Sequence, residues 1–119
     1  MTGRHLAVVS LVLAAATVAA PSPVTRGAQE PDRVEAGRRL YEKNKCATCH
    51  QIDGRGNSRF PLDGVATRVS AEDLRRWLTE TARMEAAQPR LPAIRMSTMD
   101  YRFNADETAA LVAYLRTLK

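Results

Sequence analysis

Two cysteines and a histidine lie within one short segment, Cys46-Ala47-Thr48-Cys49-His50. The order C-x-x-C-H is the signature of covalent attachment of a c-type haem. Two thiols three positions apart can reach the two vinyl groups on one edge of a porphyrin, and the adjacent imidazole can reach the iron from the same side. The motif therefore predicts one haem c, bound through thioethers from Cys46 and Cys49, with His50 as an axial ligand of the iron.

Other chemistries fit these three residues less well. A structural zinc site needs four ligands, and outside the motif the sequence has no further Cys and only one other His, His5. A thioredoxin-like dithiol needs a βαβ setting, and no such pattern surrounds the motif. A disulfide between residues three apart closes a very short loop and would stabilise little. Haem attachment is therefore the favoured interpretation.

The second axial ligand must come from elsewhere in the chain. His5 lies in an N-terminal segment that we expect to be removed, which leaves the thioethers of Met84, Met96 and Met99. Met84 falls in a predicted helix, where a Met is more often core filler than a ligand. Met96 and Met99 fall in an irregular stretch, where a loop can carry a thioether across the far face of the haem.

The first 20 residues are typical of an export signal. Arg4 and His5 precede an uncharged run, residues 6–20, that ends in small residues. The alternative is an uncleaved membrane anchor, but the run is shorter than the roughly 20 apolar residues that a spanning helix needs. Pro21 directly after Ala20 leaves the cleavage site open. We expect export to the periplasm and no stable membrane span after processing.

The rest of the chain is predicted to be one domain preceded by a leader. Residues 21–29 are rich in Pro, Ser, Thr and Gly and predict a flexible leader. Residues 30–119 then form a domain of ordinary size, in a chain of 119 residues of which 45% are hydrophobic. This composition argues against wholesale disorder.

Charge restricts the class of partner. The full sequence has 18 basic and 13 acidic residues, and without the first 20 residues the count is 17 against 13, or a net of +4. The charges are scattered and lack interleaved aromatic residues, which together with export argues against nucleic acid. A mildly basic surface suits an acidic protein partner. Two ionised haem propionates would lower the net charge to about +2 and weaken that argument.

Helical periodicity predicts the first helix over residues 31–45. Val34, Gly37, Leu40 and Tyr41 share one face at spacings of three and four, with charged residues opposite. The haem motif then follows at the end of this helix.

Two further helices are predicted after the motif. One begins at the N-cap Ser70, carries an apolar stripe of Leu74, Trp77 and Leu78, and ends near Met84. The last begins at the N-cap Asn104 and runs towards the end of the chain. Its buried face is predicted to consist of Ala110, Leu111, Tyr114, Leu115 and Leu118.

The connecting stretches contain turn residues rather than periodic patterns. Residues 51–69 and 86–103 carry Gly, Pro and Asn, and no alternating strand pattern of useful length occurs. The sequence therefore predicts an all-α fold with two long loops, and loops of that length in a compact domain are usually functional.

The motif and the helices together resemble the class I cytochromes c, the small single-haem electron carriers. The resemblance covers residues 31–119 and includes the helical segments 35–41 and 109–115 and the Pro61-Leu62 pair after the motif. It implies a small helical fold wrapped around one covalent haem. In such a fold Gly37 would allow a close crossing with the last helix, and Tyr41 would meet Tyr114.

The resemblance also implies supporting contacts around the haem. The Pro61 carbonyl would accept a hydrogen bond from His50 Nδ1–H and so fix the imidazole. Leu62 would pack on the haem, and Trp77 is expected in the core or at the haem edge. The family's distal segment usually reads Met-Pro-x-Phe, and its spacing matches if Met96 is the ligand. No Pro follows Met96, however, and Met99 replaces the aromatic residue, so Met96 is our predicted ligand and Met99 the alternative.

Ligation by His and Met leaves no open position on the iron, which predicts one-electron transfer rather than catalysis. The chain would shuttle electrons between redox protein partners or serve as the haem subunit of a dehydrogenase. The alternative is a haem enzyme or gas-binding sensor with an open or labile distal site.

Four basic residues near the motif are open to two interpretations. Lys43 and Lys45 could belong to a docking rim or to a solvated helix face. Arg55 and Arg59 could pair with a propionate or be solvated loop charges.

Overall fold

The computed structural model describes residues 30–119. The predicted export signal, residues 1–20, and the predicted leader, residues 21–29, lie outside the described residues. Helices are the main elements of the described part: α1 (Glu30–Lys43), α2 (Val65–Arg68), α3 (Ala71–Thr79), α4 (Thr81–Ala86) and α5 (Ala105–Leu115). Two 3-10 turns cover Cys46–Thr48 and Met96–Met99, and three short strands form β1 (His50–Ile52), β2 (Arg55–Gly56) and β3 (Phe60–Pro61).

The first and last helices cross at close range and form the frame of the domain. Gly37 lies at the crossing, where a Cβ would come within 2.0 Å of the Ala110 carbonyl oxygen, so only glycine fits. The rings of Tyr41 and Tyr114 meet edge to face with centroids 5.8 Å apart. Both contacts were expected from the family resemblance and are confirmed.

Both predicted N-caps are present. The Ser70 hydroxyl accepts a hydrogen bond from the Asp73 N–H at 3.0 Å and starts α3. The Asn104 side chain accepts from the Glu107 N–H at 2.9 Å, and the Glu107 carboxylate accepts from the Asn104 N–H in return. This reciprocal pair satisfies amides that have no partner inside α5.

The second predicted helix is wrong as one continuous element, because it is broken at Glu80. Glu80 has φ −126° and ψ 38°, which is not a helical conformation and separates α3 from α4. The break is flanked by Thr79 and Thr81, whose hydroxyls donate to the carbonyls of Arg75 and Trp77 at 3.0 and 2.8 Å. Such bonds to the carbonyl four residues back compete with the backbone ladder and weaken a helix.

The loop predicted over residues 51–69 contains regular structure that the sequence did not indicate. β1 pairs antiparallel with β2 and parallel with β3, in the order β2-β1-β3. The short helix α2 follows. Strands of two or three residues are too short to produce a readable alternation, which explains why periodicity missed them. Because these strands are so short, the fold remains mainly helical, as predicted.

The apolar core forms two clusters that flank the centre of the domain. One is built on Tyr41, Ile52 and Leu111, and the other on Val65, Leu74 and Leu115. Leu62 packs against both. Among residues 30–119, no helix is both long enough and apolar enough to span a membrane.

Candidate functional site

The two cysteines lie on a tight turn of their own rather than at the end of α1. Lys45 adopts a left-handed conformation (φ 54°) and redirects the chain after α1. The 3-10 turn Cys46–Thr48 then closes with a hydrogen bond from the Cys49 N–H to the Cys46 carbonyl at 3.1 Å. Side chains three apart are eclipsed in a 3-10 turn, so both thiols point to one side. This is the arrangement that attachment to one porphyrin edge requires.

Hydrogen bonds from the segment around Gly56 fix the backbone of the haem-attachment motif. The Asn57 N–H donates to the carbonyls of Ala47 and His50 at 3.0 and 3.1 Å, and the Asn57 side-chain amide donates to the Thr48 carbonyl at 3.1 Å. Gly56 has φ 96°, and a Cβ there would lie 2.2 Å from the His50 carbonyl oxygen. A glycine is therefore required at this position on both conformational and steric grounds.

The imidazole of His50 is oriented by Phe60, not by Pro61. His50 lies opposite Phe60 in the parallel β1–β3 pair, and His50 Nδ1 lies 3.0 Å from the Phe60 carbonyl oxygen. The predicted Pro61 acceptor is wrong by one residue because the strand register sets which carbonyl faces the ring. A carbonyl only accepts, so Nδ1 carries the proton and Nε2 keeps the lone pair that can bind a metal.

Burial favours the uncharged forms of the His50 imidazole and the Cys46 thiol. It lowers the pKa of His50, although the hydrogen bond to the Phe60 carbonyl acts in the opposite direction. A neutral imidazole is the form that coordinates a metal. Burial also raises the pKa of the Cys46 thiol to about 11. Neither cysteine forms a disulfide.

These side chains face an apolar cavity of about 550 Å³. Its size lies within the roughly 300–1,000 Å³ of cofactor and ligand pockets. Cys46, Cys49 and His50 line this cavity and belong to residues 44–62, here named the proximal wall. Residues 87–103, here named the distal segment, contribute further lining residues. Other lining residues are chiefly apolar: Leu62 of the proximal wall, and Val65, Leu74, Trp77, Leu78, Leu111 and Leu115.

Both candidate methionine ligands line this cavity. Met96 and Met99 begin and end the 3-10 turn of the distal segment, and both line the cavity that His50 also lines. Met96 is partly buried, whereas Met99 is 47% exposed. Met84 lies on α4 and does not line the cavity. The structure thus brings the predicted ligand and its alternative to the same site.

The predicted supporting residues separate into two groups. Leu62 and Trp77 line the cavity, whereas Pro61 is exposed and does not. Lys45 also lines it. Three other basic residues, Lys43, Arg55 and Arg59, are exposed and lie outside the lining.

Several residues of the site were missed by sequence analysis. Arg90 and Arg95 line the cavity, although no motif in the sequence distinguishes them from other basic residues. The Tyr101 hydroxyl donates to the Asn44 carbonyl at 3.0 Å and joins the distal segment to the proximal wall. No pattern in the sequence indicates this contact, because the two residues are far apart along the chain.

Glu85, also missed, is buried in the cavity wall, and a usable signal for it existed. It falls seven residues after Leu78, at the helical spacing of the apolar stripe that includes Leu74. A carboxylate at a core position indicates a buried polar contact.

The comparisons with known proteins agree with this geometry. The family model for cytochrome c matches residues 34–119. No curated protein and no solved structure matches the chain. Because the match covers most of the sequence, the chain belongs to the cytochrome c family.

Membership of the cytochrome c family defines the cofactor and the general activity of this chain. A cytochrome c is a haem-based electron-transfer protein whose haem c is held covalently by cysteines. This chain has two cysteines, at the spacing that the motif requires. The apolar cavity, the paired thiols and the neutral imidazole with a free Nε2 all fit that group.

Proposed function

We propose that this cytochrome c is an exported one-electron carrier in which His50 and Met96 are the axial ligands of the haem iron. When bound, the haem supplies a one-electron couple between ferric and ferrous iron. The observation that carries the proposal is that His50 and both methionines of the Met96–Met99 turn line one apolar cavity. Two such ligands fill both axial positions and leave none for a substrate.

The chain's own residues would keep the two iron states similar in structure. The Phe60 carbonyl holds His50 in one tautomer and one orientation. Leu62, Trp77 and the other apolar lining residues keep water from the iron. A preformed, dry site needs little rearrangement when the charge of the iron changes, which favours rapid electron transfer.

The mouth of the cavity has the properties of a transient docking surface. Ile94 and Met99 line the cavity and are exposed, and Leu91 of the same segment is also exposed. Arg90 and Arg95 also line the cavity, and the acidic residue among the lining, Glu85, is buried. An apolar patch with surrounding cations supports docking of an acidic redox protein, with association rates that fall as salt rises.

The export signal predicted over residues 1–20 supports a periplasmic location. Within that compartment the chain would act either as a free carrier or as the haem subunit of a dehydrogenase. Purification at native salt separates these roles, because a subunit would remain with its dehydrogenase.

The ligand assignment is tested by ferric absorption spectra of the holoprotein. The wild type is expected to have the methionine–iron charge-transfer band at the red edge of the visible spectrum. Met96→Ala should abolish this band and Met99→Ala should preserve it. The reverse pattern would assign Met99 as the ligand.

The same spectra distinguish the proposal from an open-site haem protein. A wild-type spectrum that is high-spin and shifts on addition of carbon monoxide or cyanide would contradict electron transfer as the main role. Such a result would favour the haem enzyme or gas sensor instead.

A further inference from the structure

A buried carboxylate in the cavity wall is bound to the residue beside the proposed ligand. Glu85 on α4 is only 3% exposed. Its carboxylate accepts hydrogen bonds from the Ser97 N–H at 3.1 Å and from the Ser97 hydroxyl. Burying a carboxylate is costly unless strong hydrogen bonds compensate, so this contact is a substantial part of the local structure.

The contact acts on the first turn of the segment that carries both methionines. Ser97 is the second residue of the 3-10 turn Met96–Met99, where a backbone N–H has no partner within the turn. Glu85 supplies that partner from a different helix. The backbone on the C-terminal side of Met96 is therefore fixed relative to α4.

A second contact fixes the other end of the same segment. The Tyr101 hydroxyl donates to the Asn44 carbonyl at 3.0 Å, and the Tyr101 ring stacks on Phe103 with centroids 5.8 Å apart. Met99 lies between the two contacts and is 47% exposed. Met96 is adjacent to the residue that Glu85 holds. The two methionines consequently differ in how firmly the structure positions them.

We propose that Glu85 is a positioning residue that presents Met96, rather than Met99, to the haem iron through its two hydrogen bonds to Ser97. This inference rests on the proposed His/Met ligation. A methionine side chain has three rotatable bonds and is intrinsically poorly positioned. Fixing its backbone in advance lowers the entropy lost when the sulfur binds, which strengthens the bond to iron.

The experiment measures how readily an added ligand displaces the methionine. Ferric holoprotein is titrated with imidazole while the methionine–iron charge-transfer band is followed. Glu85→Ala should lower the half-displacing imidazole concentration by about 10- to 100-fold, the range expected for loss of hydrogen bonds to a charged group. Glu80→Ala is the matched control: it removes a partly exposed carboxylate whose ion-pair partners are Arg76 and Arg83, and should change the concentration by less than about threefold.

Two more variants make the result specific. Ser97→Ala removes the hydroxyl donor but keeps the N–H, and should lower the half-displacing concentration by about three- to tenfold. If Glu85→Ala yields no holoprotein, this milder variant decides the question. Met99→Ala added to Glu85→Ala identifies the sulfur behind any charge-transfer band that the single variant retains. A band that survives with the lowered half-displacing concentration shows that Met96 still binds but more weakly, and loss of the band shows that the iron binds Met99 once Glu85 is absent; a surviving band with wild-type resistance to imidazole would contradict the role of Glu85.

The outcomes separate this inference from the function on which it rests. A wild type without the charge-transfer band overturns the proposed ligation and the role of Glu85 with it. A wild type with the band, combined with Glu85→Ala and Ser97→Ala proteins that resist imidazole equally well, overturns the role of Glu85 alone.

Discussion

The proximal wall and the distal segment, which both line the cavity, are held in place by different kinds of bonds. In the proximal wall, residues 44–62, backbone groups bond to each other: the amides of Thr48, Cys49, Asn57 and Leu62 all donate to nearby carbonyls. In the distal segment, residues 87–103, the main ties to the rest of the domain are side-chain bonds, from Ser97 to Glu85 and from Tyr101 to Asn44.

This difference separates the residues expected to attach the haem from the residues expected to set the strength of axial ligation. A network made mainly of backbone bonds positions the covalent anchors and the imidazole, with the Asn57 side-chain amide and the glycine at position 56 as its specific side-chain requirements. Side-chain ties can be altered one at a time without disturbing the frame of α1 and α5. We therefore expect substitutions in the proximal wall to affect formation of the holoprotein, and substitutions in the distal segment to affect the strength of ligation.

The largest effect is expected at His50, the proposed proximal ligand. His50→Ala removes the imidazole that the Phe60 carbonyl orients and should prevent stable holoprotein. The yield of covalent haem protein after export measures this outcome. Met96→Ala, in the distal segment, should still give holoprotein, and equal yields from the two variants would contradict the proposed division between the two regions.

The next largest effect is expected at Gly56. Gly56→Ala places a side chain in a conformation that costs about 1–3 kcal/mol and brings its Cβ to 2.2 Å from the His50 carbonyl oxygen. We expect a loss of unfolding free energy at or above the top of that range, measured by urea denaturation. Gly54→Ala is the matched control, since φ is also positive (73°) but the nearest atom to a Cβ is 4.0 Å away. Equal losses would show that the contact with the motif does not matter.

A smaller effect is expected at the hydrogen bond from Tyr101, the second side-chain contact of the distal segment. Tyr101→Phe removes the hydrogen bond to the Asn44 carbonyl and keeps the ring that stacks on Phe103. One neutral hydrogen bond contributes about 1 kcal/mol, or roughly a fivefold change in equilibrium. We expect the half-displacing imidazole concentration to fall by about that factor, with little change in holoprotein yield. A reduced yield instead would place Tyr101 with the proximal wall.

The smallest effect is expected outside both regions, on the exposed face of α1. Hydrogen bonds from Arg38 and Arg39 lower the pKa of Glu35 from 4.5 to about 2. A lowered carboxyl pKa stabilises the fold above pH 4.5, and this contribution is lost as the pH falls from about 4.5 to about 2. Glu35→Gln should therefore reduce the loss of stability in that window slightly, because the groups are exposed and solvent screens them. Acid unfolding followed by circular dichroism measures the change, and an unchanged profile would contradict it.

Much of the fold was predictable because its signals are local. Ser70 and Asn104 cap their helices as expected, since an N-cap bonds to an amide three residues on. The break at Glu80 and the short strands were not predicted, because threonine side-chain bonds and pairs of two or three residues leave little trace in periodicity.

In the candidate site, too, the residues with local sequence signals were predicted and those set by tertiary contacts were not. The spacing of Cys46, Cys49 and His50 predicted haem attachment, and the loop position of Met96 and Met99 predicted the two candidate sulfur ligands. The acceptor for His50 was misplaced onto Pro61, because a shift of one residue in strand register cannot be read from sequence. Glu85 was overlooked although its position on the apolar stripe was visible.

By itself, the sequence determined the haem c cofactor, its two cysteines and the helical frame, and it predicted His50 as an axial ligand, because each depends on residues a few positions apart. Only the tertiary structure decided which carbonyl orients His50, which cations reach the cavity, and which carboxylate holds the segment that carries Met96. Those contacts join residues ten or more positions apart, and their geometry is set by strand register and by the packing of α4 against the distal segment.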